Sequence, residues 1–361
     1  PIIFTSVQNV RGENNDSSFQ QWGGVVLLGR GVITDCSGGS LGAGTCERVT
    51  EGAVDLANYG GLDNTYNAGS MKYVQIRYSG FALTPNNELQ ALTTEGVGSG
   101  TKLDYIQSHN SSDDGAEFFG GLVRMKHYVA TGADDDSLDV DVGADMELQY
   151  FLAVQRPGQG DTLMEIDSNN NEANRPRTNL KIANFTLIQT QQSSNNEANG
   201  QASIMLRGNS DTTLYNGIII SPANECIRMN GSGSVTDRAS LIARSVVMQC
   251  SSSAKYIGSG SAAPIGYSAA DVAAAFGSGS NNNNDAYTPT LSSLFINGAA
   301  ETAVAVTSTT AISSFFDNQT YIGAVKDAND NWYKGWTCNS GYAPFDSTTT
   351  AGRSCTSIPT T

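Results

Sequence analysis

Histidine, basic charge and long apolar stretches are all scarce in this chain of 361 residues. Two histidines and no CxxC pair leave a zinc site with little to draw on. No run of about 18 apolar residues occurs, so no transmembrane helix is expected. Lysine and arginine number 20 against 35 acidic residues, a formal charge of −15. That balance argues against binding nucleic acid through its phosphates and favours cations or neutral polymers as partners. Charged residues make up only 15%, and few stretches carry the Ala/Leu/Glu/Lys mixture of a long helix. No Gly-x-Ser-x-Gly accompanied by a credible triad is present, and no phosphate-cradling Gly-x-x-x-x-Gly-Lys.

What the chain does have is strand-length apolar runs separated by Gly, Asn, Asp and Ser turns. They include Ile2-Ile3-Phe4, Val25 to Leu28, Tyr73 to Ile76, Leu103 to Ile106, His127 to Val129 and Tyr150 to Val154, then Leu180 to Ile188, Leu214 to Ile220, Leu241 to Met248 and Leu294 to Ile296. A repeat orders them. Asp113-Asp114-Gly115-Ala116-Glu117-Phe118 lies over Asp135-Asp136-Ser137-Leu138-Asp139-Val140 at an offset of 22, and Asp161-Thr162-Leu163-Met164-Glu165-Ile166 follows after a further 26. Within each copy the apolar positions alternate with polar ones, so Phe118, Val140 and Ile166 face inward and Glu117, Asp139 and Glu165 outward. One coil per copy predicts a right-handed parallel β-helix, an all-β solenoid in which a single elongated domain spans residues 1–361. Polar loop insertions are expected at about 168–177, 191–200 and 258–287, the last holding a short helix from Ala269 to Phe276 within a flexible excursion. A C-terminal cap is expected over about 320–361, with Trp332 and Trp336 plugging the end of the core.

The six cysteines fall as local couples, Cys36 with Cys46, Cys226 with Cys250 and Cys338 with Cys355. Disulfides in an oxidising compartment are expected, with Cys226 and Cys250 on adjacent coils. Pro1 is no initiator methionine, so a native start upstream is expected, and the first coil is expected to present an open strand edge.

Several stretches are distinctive: Gln21-Trp22-Gly23-Gly24-Val25-Val26-Leu27-Leu28-Gly29; Leu103-Asp104-Tyr105-Ile106-Gln107; His109-Asn110-Ser111-Ser112-Asp113-Asp114-Gly115-Ala116-Glu117-Phe118; and Thr320-Tyr321-Ile322-Gly323-Ala324-Val325-Lys326-Asp327 leading to Gly335-Trp336-Thr337-Cys338. Together they resemble a family of secreted bacterial β-helix proteins, often lipoproteins. The resemblance implies the fold and an extracellular or outer-membrane-associated location, and it brings no settled activity.

Stacked parallel strands lie about 4.8 Å apart, so the repeat predicts acidic columns: Glu117, Asp139 and Glu165; Asp113, Asp135 and Asp161; Asp141 with Asp167. Asp114 and Asp136 stand beside them. Unpaired carboxylates at that spacing repel, and either some pKa values rise or a cation sits between them. Hard oxygen ligands at turns suit calcium, the expected cofactor. Arg207 and Arg228, aligned beyond Asp167, extend the face towards guanidiniums that would pair an acidic glycan. Tyr78, Phe81, Trp332, Tyr333 and Trp336 are candidate sugar-stacking residues. The expected function is a calcium-binding scaffold that presents a lateral face to a glycan or cell-surface protein.

Two alternatives stand beside it. One is a lyase or glycosidase acting on acidic polysaccharide, with Asp113 and Asp114 against Asp135 and Asp136 and a base such as Lys126, Arg156 or Arg207. The Gly-His-Gly of polygalacturonase-like enzymes is missing, although Arg124-Met125-Lys126 matches their Arg-x-Lys, and His109 and His127 read as structural. No catalytic set is assigned. The other alternative is a subunit of an extracellular assembly that self-associates through the open first coil.

Overall fold

The computed structural model describes residues 1–52, 57–84, 87–168, 173–195, 201–231, 238–260, 266–346 and 353–359. Parts of the three expected insertions lie outside these residues. The chain alternates between two eight-stranded parallel sheets. The long-strand sheet runs Ile2–Phe4, Ser70–Arg77, Lys102–His109, Leu122–Thr131, Asp145–Val154, Asn179–Ile188, Asp211–Ser221 and Ser240–Cys250. The short-strand sheet runs Val25–Leu28, Leu92–Glu95, Ala116–Phe119, Asp139–Asp141, Met164–Ile166, Ala202–Leu206, Glu225–Gly231 and Tyr256–Gly260. Spatial order follows chain order in both, which is the parallel β-helix that the repeat predicts.

From Ser70–Arg77 onward, each strand of the long-strand sheet turns a corner in mid-course. At Tyr73, Tyr105, His127, Tyr150, Asn184, Asn216 and Ser245 the backbone enters the left-handed region, with φ between 51° and 62°. The ladder skips these residues: Lys126 pairs with Asp104 and Tyr128 with Ile106, leaving His127 and Tyr105 at the bend. Such a φ is uncommon for a side chain with a Cβ. Four of the seven offset it by stacking along the edge, with ring centroids 4.5 Å apart for Tyr73 and Tyr105, 4.1 Å for Tyr105 and His127, and 4.6 Å for His127 and Tyr150. Asn216 instead exchanges two 2.9 Å hydrogen bonds with the Thr307 backbone. The corner gives the coil three sides, and Phe118, Tyr128, Val140, Phe151, Ile166 and Phe185 fill its interior.

From Tyr287 onward the chain turns back and runs along the outside of the long-strand sheet, where Val129, Leu152, Ile188 and Ile218 meet Phe295, Ile322, Val325, Tyr333 and Trp336. It ends beside the first coils: Gln107 Nε2 donates to Cys338 O at 3.1 Å, and Arg77 donates to Cys355 O at 2.9 Å. Trp332 and Trp336 therefore do not plug the end of the core, but pack laterally on His127 and Tyr105. Leu294 to Ile296 belongs to this return segment and not to either sheet.

The plug is the helix Ala269–Phe276, whose Val272 and Phe276 are buried in the core cluster. Ser268 caps it, and Gly277 ends it at φ 68°. The asparagines that follow guard the last edge: Asn284 N donates to Val246 O at 3.0 Å and Met248 N to Asn284 O at 2.8 Å. What composition suggests is a flexible excursion is thus a cap over the described residues. At the other end, Ile2–Phe4 and Val25–Leu28 each pair on one side within the described residues, and Ile2 is 60% exposed. All three expected disulfides form, and Cys226–Cys250 joins successive coils. No described helix is long and apolar enough to cross a membrane.

Candidate functional site: an acidic cleft on the short-strand sheet

The outward positions of the short strands build the site. Register sets Glu117 beside Asp139 and Asp139 beside Glu165, the column expected from the repeat. One turn earlier along each coil, Asp136 N donates to Asp114 Oδ1 at 2.9 Å across an offset of 22 residues, and Thr162 N to Asp136 Oδ1 at 2.7 Å across 26. Those are the two offsets of the sequence repeat. Two hairpins wall the face. One, Arg48–Val49 with Asn58–Tyr59, follows a loop stapled by Cys36–Cys46 and rests on Phe119 and Val142. The other, Phe81–Thr84 with Asn87–Leu89, brings Glu88 and leads into Gln90.

The resulting cleft has a volume of about 340 Å³. Asp113, Asp114, Glu117, Asp135, Asp136, Asp139, Asp141, Glu165 and Asp167 line it, with Glu51 and Glu88 on the walls and, among the described residues, only Arg48 and Arg207 of opposite sign. Asp161 stays at the buried turn, where its N–H donates to Asp135 O at 3.1 Å, and does not line the cleft.

Burial, and then mutual repulsion, drive these carboxyls up from their ordinary range. Asp136 reaches about 7, while Asp113, Asp141 and Glu165 reach about 8. Asp114, Glu117 and Asp139 are pushed well up for the same reasons. Glu117 is 8% exposed and its side chain makes no hydrogen bond or ion pair among the described residues, and Asp139 Oδ1 is buried without a hydrogen-bond partner. An all-oxygen donor set with unsatisfied buried oxygens fits a hard cation such as calcium.

The cationic candidates separate. Arg207 closes one end of the cleft, bonded to Glu165 and 3.4 Å from Asp167. Arg228 is not its neighbour: the coil-to-coil step there is 23 residues, so Arg228 pairs in register with Met205, and its guanidinium is held by Glu225 at 2.7 Å. Lys126 binds Asp317 at 2.8 Å on the long-strand sheet and Arg156 binds Asp134, so neither reaches the cleft. Tyr78, Tyr333 and Trp336 are buried and offer no sugar platform. His109 is fully buried, its imidazole held neutral by burial and by Arg77 and Arg156, and His127 lies between Tyr105 and Tyr150. Arg48, Glu51, Glu88 and Gln90 are cleft residues that sequence reasoning misses, because they come from the walls and carry no repeat signal.

No curated protein and no solved structure matches the chain significantly. A family model described as a pectate-lyase-like β-helix domain matches residues 1–337, nearly the whole chain. The two stacked parallel sheets and that match agree: the chain belongs to the pectate-lyase-like β-helix domain family.

Proposed function

We propose that the acidic cleft binds calcium and, through it, an acidic polysaccharide at the surface of a secreted bacterial protein. One observation carries the reading: Glu117, 8% exposed and without a side-chain partner among the described residues, lies in register beside Asp139, whose Oδ1 is buried and unbonded, and like charges crowd both. A divalent cation supplies the missing positive charge and accepts six to eight oxygens in flexible geometry. Asp113, Asp114, Glu117, Asp135 and Asp139 would hold it, and uronic carboxylates would complete its shell. Arg207 stands at the end of the same face to pair a further sugar carboxylate. Three disulfides fit an extracellular setting.

The test is calorimetric titration of EDTA-stripped protein with calcium, followed by polygalacturonate or alginate with and without the ion. Calcium-dependent polymer binding supports the reading. No heat with calcium, or polymer binding indifferent to EDTA, would remove it.

A second reading, a polysaccharide lyase or glycoside hydrolase at the same cleft, is favoured by the family match and by carboxyls near neutral pKa, which suit a general acid. Incubation with the same polymers distinguishes it. New unsaturated products or reducing ends support an enzyme, and intact polymer in a bound complex supports the scaffold.

A further inference from the structure

We propose that Cys338, Cys355 and His109 form a redox-gated site for copper(I), closed while the two cysteines are joined and open to the ion once a dithiol has reduced them. The site lies off the acidic cleft, at the end of the long-strand sheet, and is independent of the polysaccharide reading. An imidazole nitrogen of His109 and both sulfurs lie within 4.8 Å of one another. Among the described residues only this histidine meets a cysteine couple, since His127 is stacked between Tyr105 and Tyr150.

The imidazole is presented as a ligand. His109 is fully buried, and its Nδ1 lies 2.9 Å from Thr131 Oγ1. That hydroxyl spends its own proton on Ser108 O at 3.0 Å, so Nδ1 carries the ring proton and Nε2 the lone pair. Nε2 is buried with no hydrogen-bond partner among the described residues. Burial, with the charges of Arg77 and Arg156, keeps the ring neutral, the form that binds metal.

Charge selects the ion. Arg77, the partner of His109 in register, is 3% exposed. Its guanidinium donates to Gln75, and to Cys355 O at 2.9 Å, and meets no carboxylate among the described residues. A buried cation without a counter-ion is costly. Two thiolates around copper(I) carry one negative charge, which matches that guanidinium. Around zinc they would carry none and leave it unpaired. Thiolates and imidazole suit such soft ions. Both sulfurs are buried, and Tyr78 and Tyr342 flank the ring with centroids at 5.3 and 6.2 Å, a setting for a three-coordinate ion without bound water. Tyr342 also lines a surface pocket with Asp16, Phe19 and Arg156, so one side chain separates the site from solvent.

The steps balance. The two thiols of the dithiol become a disulfide while Cys338 and Cys355 become thiols. Copper(I) then displaces both thiol protons to solvent and takes the Nε2 lone pair. Three donors no more than 4.8 Å apart share a centre about 2.8 Å or less from each, and sulfurs freed from their bond rotate towards the 2.0 to 2.3 Å that nitrogen and sulfur keep from a d10 ion.

The chain is reduced with a dithiol, desalted anaerobically and titrated with copper(I) against bathocuproine disulfonate. Serine at Cys36, Cys46, Cys226 and Cys250 isolates the site, with far-UV circular dichroism to check the fold. One copper(I) per reduced chain is expected and none on the oxidised chain, and His109→Gln should weaken binding at least tenfold. Should the four-serine chain fail to fold, X-ray absorption of the reduced wild type carrying one equivalent decides. Copper–imidazole scattering is expected there and should vanish in His109→Gln. Copper held by sulfur alone, equal affinity in His109→Gln, or copper(I) on the oxidised chain overturns the proposal.

Discussion

Arg207 Nε lies 3.4 Å from Asp167 Oδ2, and the same guanidinium bonds Glu165, so one side chain offsets two carboxylates of the preceding coil. Those carboxylates are almost wholly buried, and without Arg207 they would face only like charge. Arg207→Ala should therefore lower stability by about 3 kcal/mol, the scale for breaking a buried pair, with some reduction because the arginine is partly exposed. Urea unfolding measures it, and a loss below about 0.5 kcal/mol would refute the account.

Glu95 is buried beneath the hairpin wall, with Oε2 unbonded and Oε1 accepting the Glu51 amide at 3.3 Å. Burial raises it to about 7. Its folded form holds a proton that the unfolded chain releases near pH 4.5, so its contribution is best below that pH and worsens as pH rises to about 7. Above that the penalty is constant, at most about 3 kcal/mol. Glu95→Gln should raise stability at pH 8 and flatten the profile between pH 5 and 7. Chemical denaturation across that range would expose the idea as wrong if wild type and variant ran parallel.

Cys226–Cys250 closes a loop of 24 residues. Restricting an unfolded loop of that length contributes about 3 kcal/mol in the chain-entropy account. Replacing both cysteines by alanine should lower the melting temperature without altering the cleft, so calcium titration of the variant should match the wild-type curve.

Asn216 satisfies the backbone of Thr307 in both directions from a corner that needs positive φ. Asn216→Ala loses both bonds and keeps the strained φ, an expected cost of about 2 to 3 kcal/mol. Hydrogen exchange should accelerate first at Thr307 and its neighbours. Acceleration confined to the helix Ala269–Phe276 would contradict that placement.

Calcium should raise the melting temperature by several degrees at saturating concentration, since an ion at a hundred times its dissociation constant adds about 2.7 kcal/mol per site. EDTA should reverse the rise. An identical melting curve in both conditions would leave the cleft without its ion.

The repeat was legible because alternation and stacking leave a direct trace. Phe118, Val140 and Ile166 had to face in, so Glu117, Asp139 and Glu165 had to share an outer column. The repeat does not place Arg228, because the step from Met205 is 23 residues, and loops between strands set that number without any periodic mark. The corner residues were hidden for another reason. Tyr105 and His127 look like ordinary strand aromatics, and only backbone dihedrals show that they sit at bends. The position of Trp332 and Trp336 near the end of the sequence suggests a plug, yet the return segment carries them back alongside Tyr105 and His127. Its contacts join residues over 230 apart, such as Gln107 with Cys338, and no local pattern announces such pairings.

That returning segment changes how the molecule should come apart. A stack of coils touching only nearest neighbours would fray from its ends and melt in stages. Here Arg77 and Asn9, near the start, hold Cys355 close to the finish through hydrogen bonds of 2.9 and 3.1 Å. Peeling the last coil must also strip a layer fastened to the first, so loss of structure at either terminus carries a penalty at the opposite one. The solenoid is belted lengthwise, and its unfolding should be one cooperative event in place of a sequence of unzippings.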